Sequence, residues 1–185
     1  MRKKPSRIPY AVAALAAGLV VLLAWVNRDR LNPVIPGREA PGFSAFDLNG
    51  NPKTLEDFRD RVLLVNIWAT WCPPCQEEMP SMQRLYREIA DEDFEIVAIS
   101  VDAPFGEADS FGRVGGDLEA YADSLGLSFT ILNDPSGKVQ QTFQTTGIPE
   151  SFVIDRDGVI YKKVAGAMAW DAPQNVQLIR RLLGG

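Results

Sequence analysis

The stretch Trp68–Cys75 reads Trp-Ala-Thr-Trp-Cys-Pro-Pro-Cys and holds the only two cysteines of this 185-residue chain. It follows Val62–Ile67, a run in which all but one residue is Val, Leu or Ile. A run this short and apolar is typical of a strand covered on both faces. A polar helical pattern, Gln76–Ala90, comes next, and Pro73 and Pro74 suit a first helical turn, where N–H groups lack intrahelical partners. The sequence therefore predicts both cysteines in the first turn of a helix that follows a central strand.

This placement favours a reactive thiol, because a helix N-terminus carries partial positive charge and unpaired N–H donors that stabilise an anion. A Cys-X-X-Cys pair there can ionise well below the free thiol pKa of about 8.5. We expect Cys72 to be the attacking thiolate and Cys75 to resolve the mixed disulfide. The alternatives are a pair of buried thiols or an inert disulfide, but a bridge that closes so short a loop adds little stability.

Charge is unevenly distributed along the chain. Residues 1–30 hold six of the 19 Lys and Arg residues and one of the 24 acids, which leaves 13 basic and 23 acidic residues in 31–185. An acidic body argues against a nucleic-acid partner, since phosphate binding needs clustered Lys and Arg. The chain has no histidine, so a zinc site of Cys and His is not expected, and Gln76 after Cys75 excludes covalent haem attachment. We expect no metal and no cofactor.

The segment Tyr10–Val26 is uncharged and apolar, and as a helix it would span about 25 Å. Basic residues precede it, namely Arg2, Lys3, Lys4 and Arg7. The positive-inside rule then places the N-terminus in the cytoplasm and the body outside. We interpret residues 1–30 as a signal anchor with a single transmembrane helix. A cleaved signal peptide and a buried helix of the body are the alternatives. Both the signal anchor and the cleaved signal peptide would place the body outside the cytoplasm.

Residues 31–38 are rich in Pro and Gly and predict a linker, and 39–185 predict one α/β domain. The run Phe94–Val101 is apolar like the first strand, so strand, helix and strand form a right-handed parallel crossover. Two further strands flank an Asp157-Gly158 turn and predict an antiparallel hairpin. The expected fold is a central mixed sheet flanked by helices. Residues 102–116 predict an irregular surface loop, to which the sequence assigns no role.

Three features together resemble the thioredoxin superfamily: Trp-Cys-Pro-Pro-Cys after a buried strand, Gly147-Ile148-Pro149 before another strand, and a terminal hairpin followed by a helix. The resemblance covers about residues 39–183. The anchor and the string Pro149–Asp155 are similar to the membrane-tethered thiol:disulfide oxidoreductases of cytochrome c maturation. The resemblance implies a thioredoxin-like fold, a redox-active Cys72–Cys75 disulfide and an oxidoreductase activity.

The resemblance also implies further site residues. Pro149 is expected in the cis form beside the cysteines, so that the backbone edge of Ile148 faces an extended substrate. Trp71 and Pro73 are the other expected contacts to substrate.

One departure from the superfamily concerns proton transfer. Thioredoxins carry a buried Asp on the central strand, where this chain has Asn66, and an amide cannot accept the proton of Cys75. Glu78, about one helical turn past Cys75, matches an acid of the tethered reductases and is the first candidate to replace that Asp. Glu150, adjacent to Pro149, is the second.

The expected function is an extracytoplasmic disulfide reductase on the inner membrane, with its catalytic domain in the periplasm. By resemblance, its substrate is apocytochrome c or its chaperone, and its reductant is a transmembrane thiol carrier. The alternatives are a tethered reductase for other exported proteins, an oxidase, a copper-delivery protein and a thiol peroxidase. The peroxidase needs a reactive Cys in a different loop, and the chain has none.

Overall fold

The computed structural model describes residues 8–26, 33–89 and 93–184. By its internal contacts the chain divides into two compact units, Met1–Pro33 and Val34–Gly185. The basic residues on which the predicted orientation of the anchor depends, Arg2 to Arg7, lie outside the described residues.

The first unit contains helix α1 (Ile8–Val26), which covers the uncharged segment Tyr10–Val26 of the predicted anchor. Several of its large apolar side chains are exposed, among them Leu15 and Val21. Among the described residues, no helix combines the length and apolarity that crossing a membrane requires.

The second unit begins within the predicted linker. Val34 is buried among apolar side chains of the domain. The N–H of Gly37 donates to the carbonyl of Ile160, and the N–H of Ile160 donates to the carbonyl of Arg38, both at 2.8 Å. Residues 34–38 are therefore held against the domain as an added edge segment.

The strands and helices of the second unit follow the predicted order. Its strands are β1 (Ser44–Asp47), β2 (Pro52–Thr54), β3 (Val62–Trp68), β4 (Phe94–Ser100), β5 (Thr130–Asn133), β6 (Glu150–Ile154) and β7 (Ile160–Ala165). Its helices are α2 (Pro73–Ile89), α3 (Leu118–Leu125), α4 (Lys138–Thr142) and α5 (Pro173–Leu183), with a short 3-10 helix at Leu55–Phe58.

The described strands form one mixed sheet in the order β2-β1-β5-β4-β3-β6-β7. β4 lies parallel to both β3 and β5, while β6 pairs antiparallel with β3 and β7. This arrangement confirms the parallel strand–helix–strand unit, the hairpin and the mixed sheet, while the handedness of the crossover stays a prediction.

The central strand β3 is buried along its whole length, as its composition predicted. Its side chains alternate between two apolar clusters on the two faces of the sheet. Leu64 and Trp68 pack against α2, α3 and α5, whereas Val65 and Ile67 pack on the opposite face, where α4 contributes Val139. A strand fixed from both faces places its carboxyl end, and therefore the start of α2, at a defined position.

Loop 102–116 packs tightly against that end of the sheet. It is held by isolated bridges, Phe105 with Gly115 and Ala108 with Val114, and it contains no helical turn. A methyl group at Gly115 would overlap the carbonyl oxygen of Ala103, and it would lie 2.8 Å from the carbonyl oxygen of Pro104. The loop can follow this path only because position 115 has no side chain.

We predict that Gly115→Ala lowers the free energy of unfolding by about 2 kcal/mol or more, because the methyl group meets backbone atoms that cannot rotate away. Gly42→Ala is the matched control, since its methyl group would meet no atom within 4 Å. Chemical denaturation of the two variants and the wild type checks this. Equal stability of both variants would show that the loop does not pack as described.

Candidate active site

The two cysteines form a disulfide at the start of α2. The sulfur atoms are 2.08 Å apart and the Cα atoms 5.3 Å apart, which matches the pairing that the resemblance implied. The backbone N–H of Cys75 donates to Sγ of Cys72 at 3.3 Å. A donor of the first helical turn therefore points at the sulfur that is expected to carry negative charge.

Cys72 is the more accessible of the two cysteines. It is 5% exposed, whereas Cys75 is fully buried. Pro73 and Pro74 are exposed beside it, so Pro73 lies where a substrate contact was predicted. A second disulfide can therefore approach Cys72 and cannot reach Cys75 directly.

The cis proline lies beside this pair. The Ile148–Pro149 bond is cis, as predicted, and Sγ of Cys72 is 3.7 Å from the carbonyl oxygen of Ile148. The N–H of Gly166 donates to the carbonyl of Pro149 at 2.8 Å. The backbone of Ile148 thus forms one side of the site and is held from behind by the chain after β7.

Glu78 is buried on the inward side of α2, with 2% exposure, one turn after Cys75. Its Oε1 accepts a hydrogen bond from Nδ2 of Asn66 at 2.6 Å, and its Oε2 accepts one from the N–H of Met168 at 3.1 Å. Nδ2 of Asn66 also donates to Oγ of Ser151 at 2.9 Å. The carboxyl group therefore joins α2 to β3 and to the chain after β7, and both of its oxygens are satisfied.

Burial raises the pKa of Glu78 from its ordinary value of 4.5 to about 7, because a buried carboxylate loses its hydration. Hydrogen bonds from the N–H of Met168 and the side chain of Asn66 lower the pKa and partly oppose this effect. A carboxyl group that exchanges its proton near neutral pH is suited to accept the proton of a buried thiol. In its neutral form it does not repel a thiolate at Cys72.

Asn66 has a role that the sequence did not reveal. Its side chain faces α2 and holds Glu78, so the amide on the strand positions the acid on the helix. Ser151, which is paired with Asn66 across β3 and β6, fixes the amide in turn. A lone polar residue in a strand predicted to be buried on both faces was the available signal, since buried amides need partners.

Glu150 lies on the other face of the sheet from Glu78, because it pairs with Ile67. Its Oε1 is 3.2 Å from Nζ of Lys163, and its Oε2 accepts a hydrogen bond from the N–H of Thr146 at 3.1 Å. These contacts tie the segment before the cis peptide to β7, and neither partner is a cysteine. Proton transfer by Glu150 stays a prediction.

Trp71 is half-buried and is covered by loop 102–116. The guanidinium carbon of Arg113 lies 3.8 Å from the centroid of its ring, a cation–π geometry. Arg113 also lies 4.9 Å from the ring of Phe111 and forms an ion pair with Asp109 at 2.6 Å. Trp71, a predicted contact to substrate, therefore also contacts loop 102–116, to which the sequence assigned no role.

Asp102, at the start of loop 102–116, is fully buried. Its carboxyl group accepts hydrogen bonds from the N–H of Thr70 at 2.8 Å and from the N–H of Gly116 at 3.2 Å, and the hydroxyls of Thr70 and Ser100 also donate to it. The side chain of Gln76 donates to the carbonyl of Thr70. Asp102 therefore joins the turn that precedes Cys72 to the end of loop 102–116.

The chain matches the AhpC/TSA family over residues 36–163. The chain belongs to this family. It is 33% identical over 168 residues to the thiol-disulfide oxidoreductase ResA of Bacillus cereus, a match that covers 88% of this chain and 90% of that protein. It is 35% identical over 132 residues to the thioredoxin-like protein YneN of Bacillus subtilis, covering 71% of this chain and 72% of the relative.

The fold is shared with solved structures of the same kind. The crystal structure of a thiol:disulfide interchange protein of the thioredoxin family from Chlorobium tepidum TLS superposes with a TM-score of 0.62 at 26% identity, covering 80% of this chain and 97% of that one. The chain is a thiol:disulfide oxidoreductase with a thioredoxin-like α/β fold. The resemblance drawn from Trp68–Cys75 and Gly147–Pro149 is confirmed at this level.

We predict that Glu78 makes the stability of this oxidoreductase fall as the pH rises from 4.5 to about 7. Between these values the unfolded chain has lost the Glu78 proton and the folded protein keeps it, so raising the pH favours unfolding. The contribution of Glu78 to the free energy of unfolding should fall by on the order of 3 kcal/mol across this window.

Chemical denaturation of the oxidised protein at several pH values measures this change. Glu78→Gln should lack the corresponding fall, while the exposed control Glu77→Gln should keep it. Parallel pH profiles for wild type and Glu78→Gln would mean that Glu78 does not titrate in this window.

Proposed function

We propose that this oxidoreductase is an extracytoplasmic disulfide reductase that donates electrons from Cys72 and Cys75 to protein disulfides. The observation that carries the proposal is the asymmetry of the pair. Cys72 is the cysteine that a substrate can approach, and its Sγ accepts a hydrogen bond from an N–H at the start of α2. Cys75 is buried one helical turn before Glu78, whose pKa is about 7.

The reaction proceeds in two exchanges. The Cys72 thiolate attacks one sulfur of the substrate disulfide, whose S–S bond breaks, and the other substrate sulfur leaves and takes up a proton. Cys75 then gives its proton to the Glu78 carboxylate and attacks Sγ of Cys72, and the second substrate sulfur leaves and is protonated. The substrate gains two electrons and two protons, and the Cys72–Cys75 disulfide forms. A membrane thiol reductant must restore the dithiol.

The reductive direction is supported by the acid beside the pair. A strong oxidant depends on a reduced form in which the thiolate is greatly stabilised. Here the buried Glu78 opposes that stabilisation whenever it is ionised, because like charges repel in a low-dielectric site. The pair should therefore give up electrons more readily than the dithiol of a strong oxidant.

The proposed place of action is the outer side of the inner membrane, with residues 1–30 as the anchor. The uncharged segment Tyr10–Val26 and the basic residues before it support this orientation. On that side disulfides persist, so a reductase has substrates there. By the resemblance, the substrate is apocytochrome c or its chaperone, and the electrons come from a transmembrane thiol carrier.

We predict that Cys75→Ser converts the enzyme into a trap. Once a hydroxyl replaces the resolving thiol, the mixed disulfide between Cys72 and the substrate should accumulate, because the protein has no second thiol to displace the substrate. The probe is a disulfide-bonded apocytochrome c peptide that contains its Cys-X-X-Cys-His site, added to the purified protein under non-reducing conditions. Mass spectrometry identifies the adduct and the linked cysteine.

Cys72→Ser is the matched control and should form no adduct, because Cys75 is inaccessible. Adducts through Cys75 in that variant, or no adduct with Cys75→Ser, would contradict the assigned roles. The wild-type dithiol should reduce the same peptide catalytically when a thiol reductant is supplied.

A further inference from the structure

An exposed apolar surface lies beside Cys72 on loop 102–116. The side chain of Phe111 is 82% exposed, and Phe105 and Val114 on the same loop are 73% and 57% exposed. A loop that exposes several large apolar residues is typical of a surface that meets a partner. We call Trp71, Phe111 and Arg113 the loop patch.

The loop patch is continuous with the nucleophile. Trp71 is the residue before Cys72, Arg113 stacks on its ring at 3.8 Å, and Phe111 lies 4.9 Å from the same guanidinium. The ion pair with Asp109 offsets the charge of Arg113, so the patch presents flat, largely apolar groups.

The loop patch is also formed before any partner binds. Oδ1 of Asp109 accepts hydrogen bonds from the N–H of Phe111 at 2.8 Å and of Arg113 at 2.9 Å. At the base of the loop, the N–H of Gly106 donates to the carbonyl of Gly115 at 3.0 Å. Asp102 anchors the loop to the turn before Cys72. A surface held in this way loses little conformational entropy when a ligand covers it.

We propose that the loop patch binds the polypeptide segment that flanks the disulfide of a protein substrate, with apolar side chains of that segment against Phe111 and the Arg113–Trp71 stack. This inference rests on the proposed function and names what the site recognises. The mixed disulfide joins the substrate to Sγ of Cys72. Because Trp71 directly precedes Cys72 in the chain, the substrate residues that contact the patch are those next to the substrate cysteine in sequence.

The test compares two synthetic peptides with the same internal Cys-X-X-Cys disulfide. One is flanked by Leu and Phe, the other by Ser and Gly, and each is reduced by the full-length reduced protein in detergent. The wild type should reduce the apolar-flanked peptide about tenfold faster, measured as the ratio of second-order rate constants, because burial of one or two large apolar side chains supplies that difference. Phe111→Ser should bring the ratio to within about twofold of unity.

Tyr161→Ser is the matched control. Tyr161 is an aromatic residue near the start of β7 and is 49% exposed. Its neighbour Ile160 pairs with Ile154, which pairs with Leu63 at the start of β3, whereas the cysteines follow the other end of β3. This variant should keep the wild-type ratio.

The outcomes separate the two proposals. If the wild type reduces neither peptide, the proposed function fails. If it reduces both and Phe111→Ser leaves the ratio unchanged, or slows both peptides equally, the loop patch does not bind substrate. Sedimentation that shifts from dimer to monomer in Phe111→Ser would instead make the patch a contact between copies of the chain, and it would overturn the inference.

Discussion

The hydrogen bond from the N–H of Cys75 to Sγ of Cys72 is the contact on which the chemistry depends. It exists because β3 ends at Trp68 and α2 begins at Pro73, which leaves the sulfur in front of the first helical N–H groups. β3 cannot shift, since β4 and β6 pair with it and both of its faces are covered. The donor is therefore in place before charge develops on the sulfur, and no reorganisation is needed during the exchange.

Glu78, a buried carboxyl group, acts in the opposite direction on the stability of the Cys72 thiolate. The helix start favours a thiolate at Cys72, and an ionised carboxyl group at Glu78 would oppose it. Asn66 and Met168 hold Glu78 in a position where its pKa is about 7, so the opposition depends on its protonation state. In the mechanism that we propose, the same acid takes up the Cys75 proton in the resolving step.

Local sequence signals predicted the parts of the fold that depend on neighbours along the chain. The apolar run of β3 and the start of α2 at the prolines both follow from short-range chemistry. The cis form of Pro149 came from the resemblance and not from its neighbours. Local signals could not predict which side chains meet across the sheet, because those contacts depend on the register in which the strands pair.

The two candidate acids show this difference clearly. Glu150 is next to the cis proline in sequence, yet strand alternation places its side chain on the face opposite Glu78, beside Lys163. Asn66 and Glu78 are 12 positions apart and meet only because α2 packs over β3. The contact of Arg113 with Trp71 joins residues of two loops. No pattern within either segment could have predicted these pairings.

The central claim is that the backbone at the start of α2 makes Cys72 the reactive anion. The rate of alkylation of the reduced protein by iodoacetamide, followed at Cys72 across the pH range, measures the pKa of that thiol most directly. The account predicts half-maximal reactivity clearly below the free-thiol value of about 8.5. A midpoint at or above that value would contradict it.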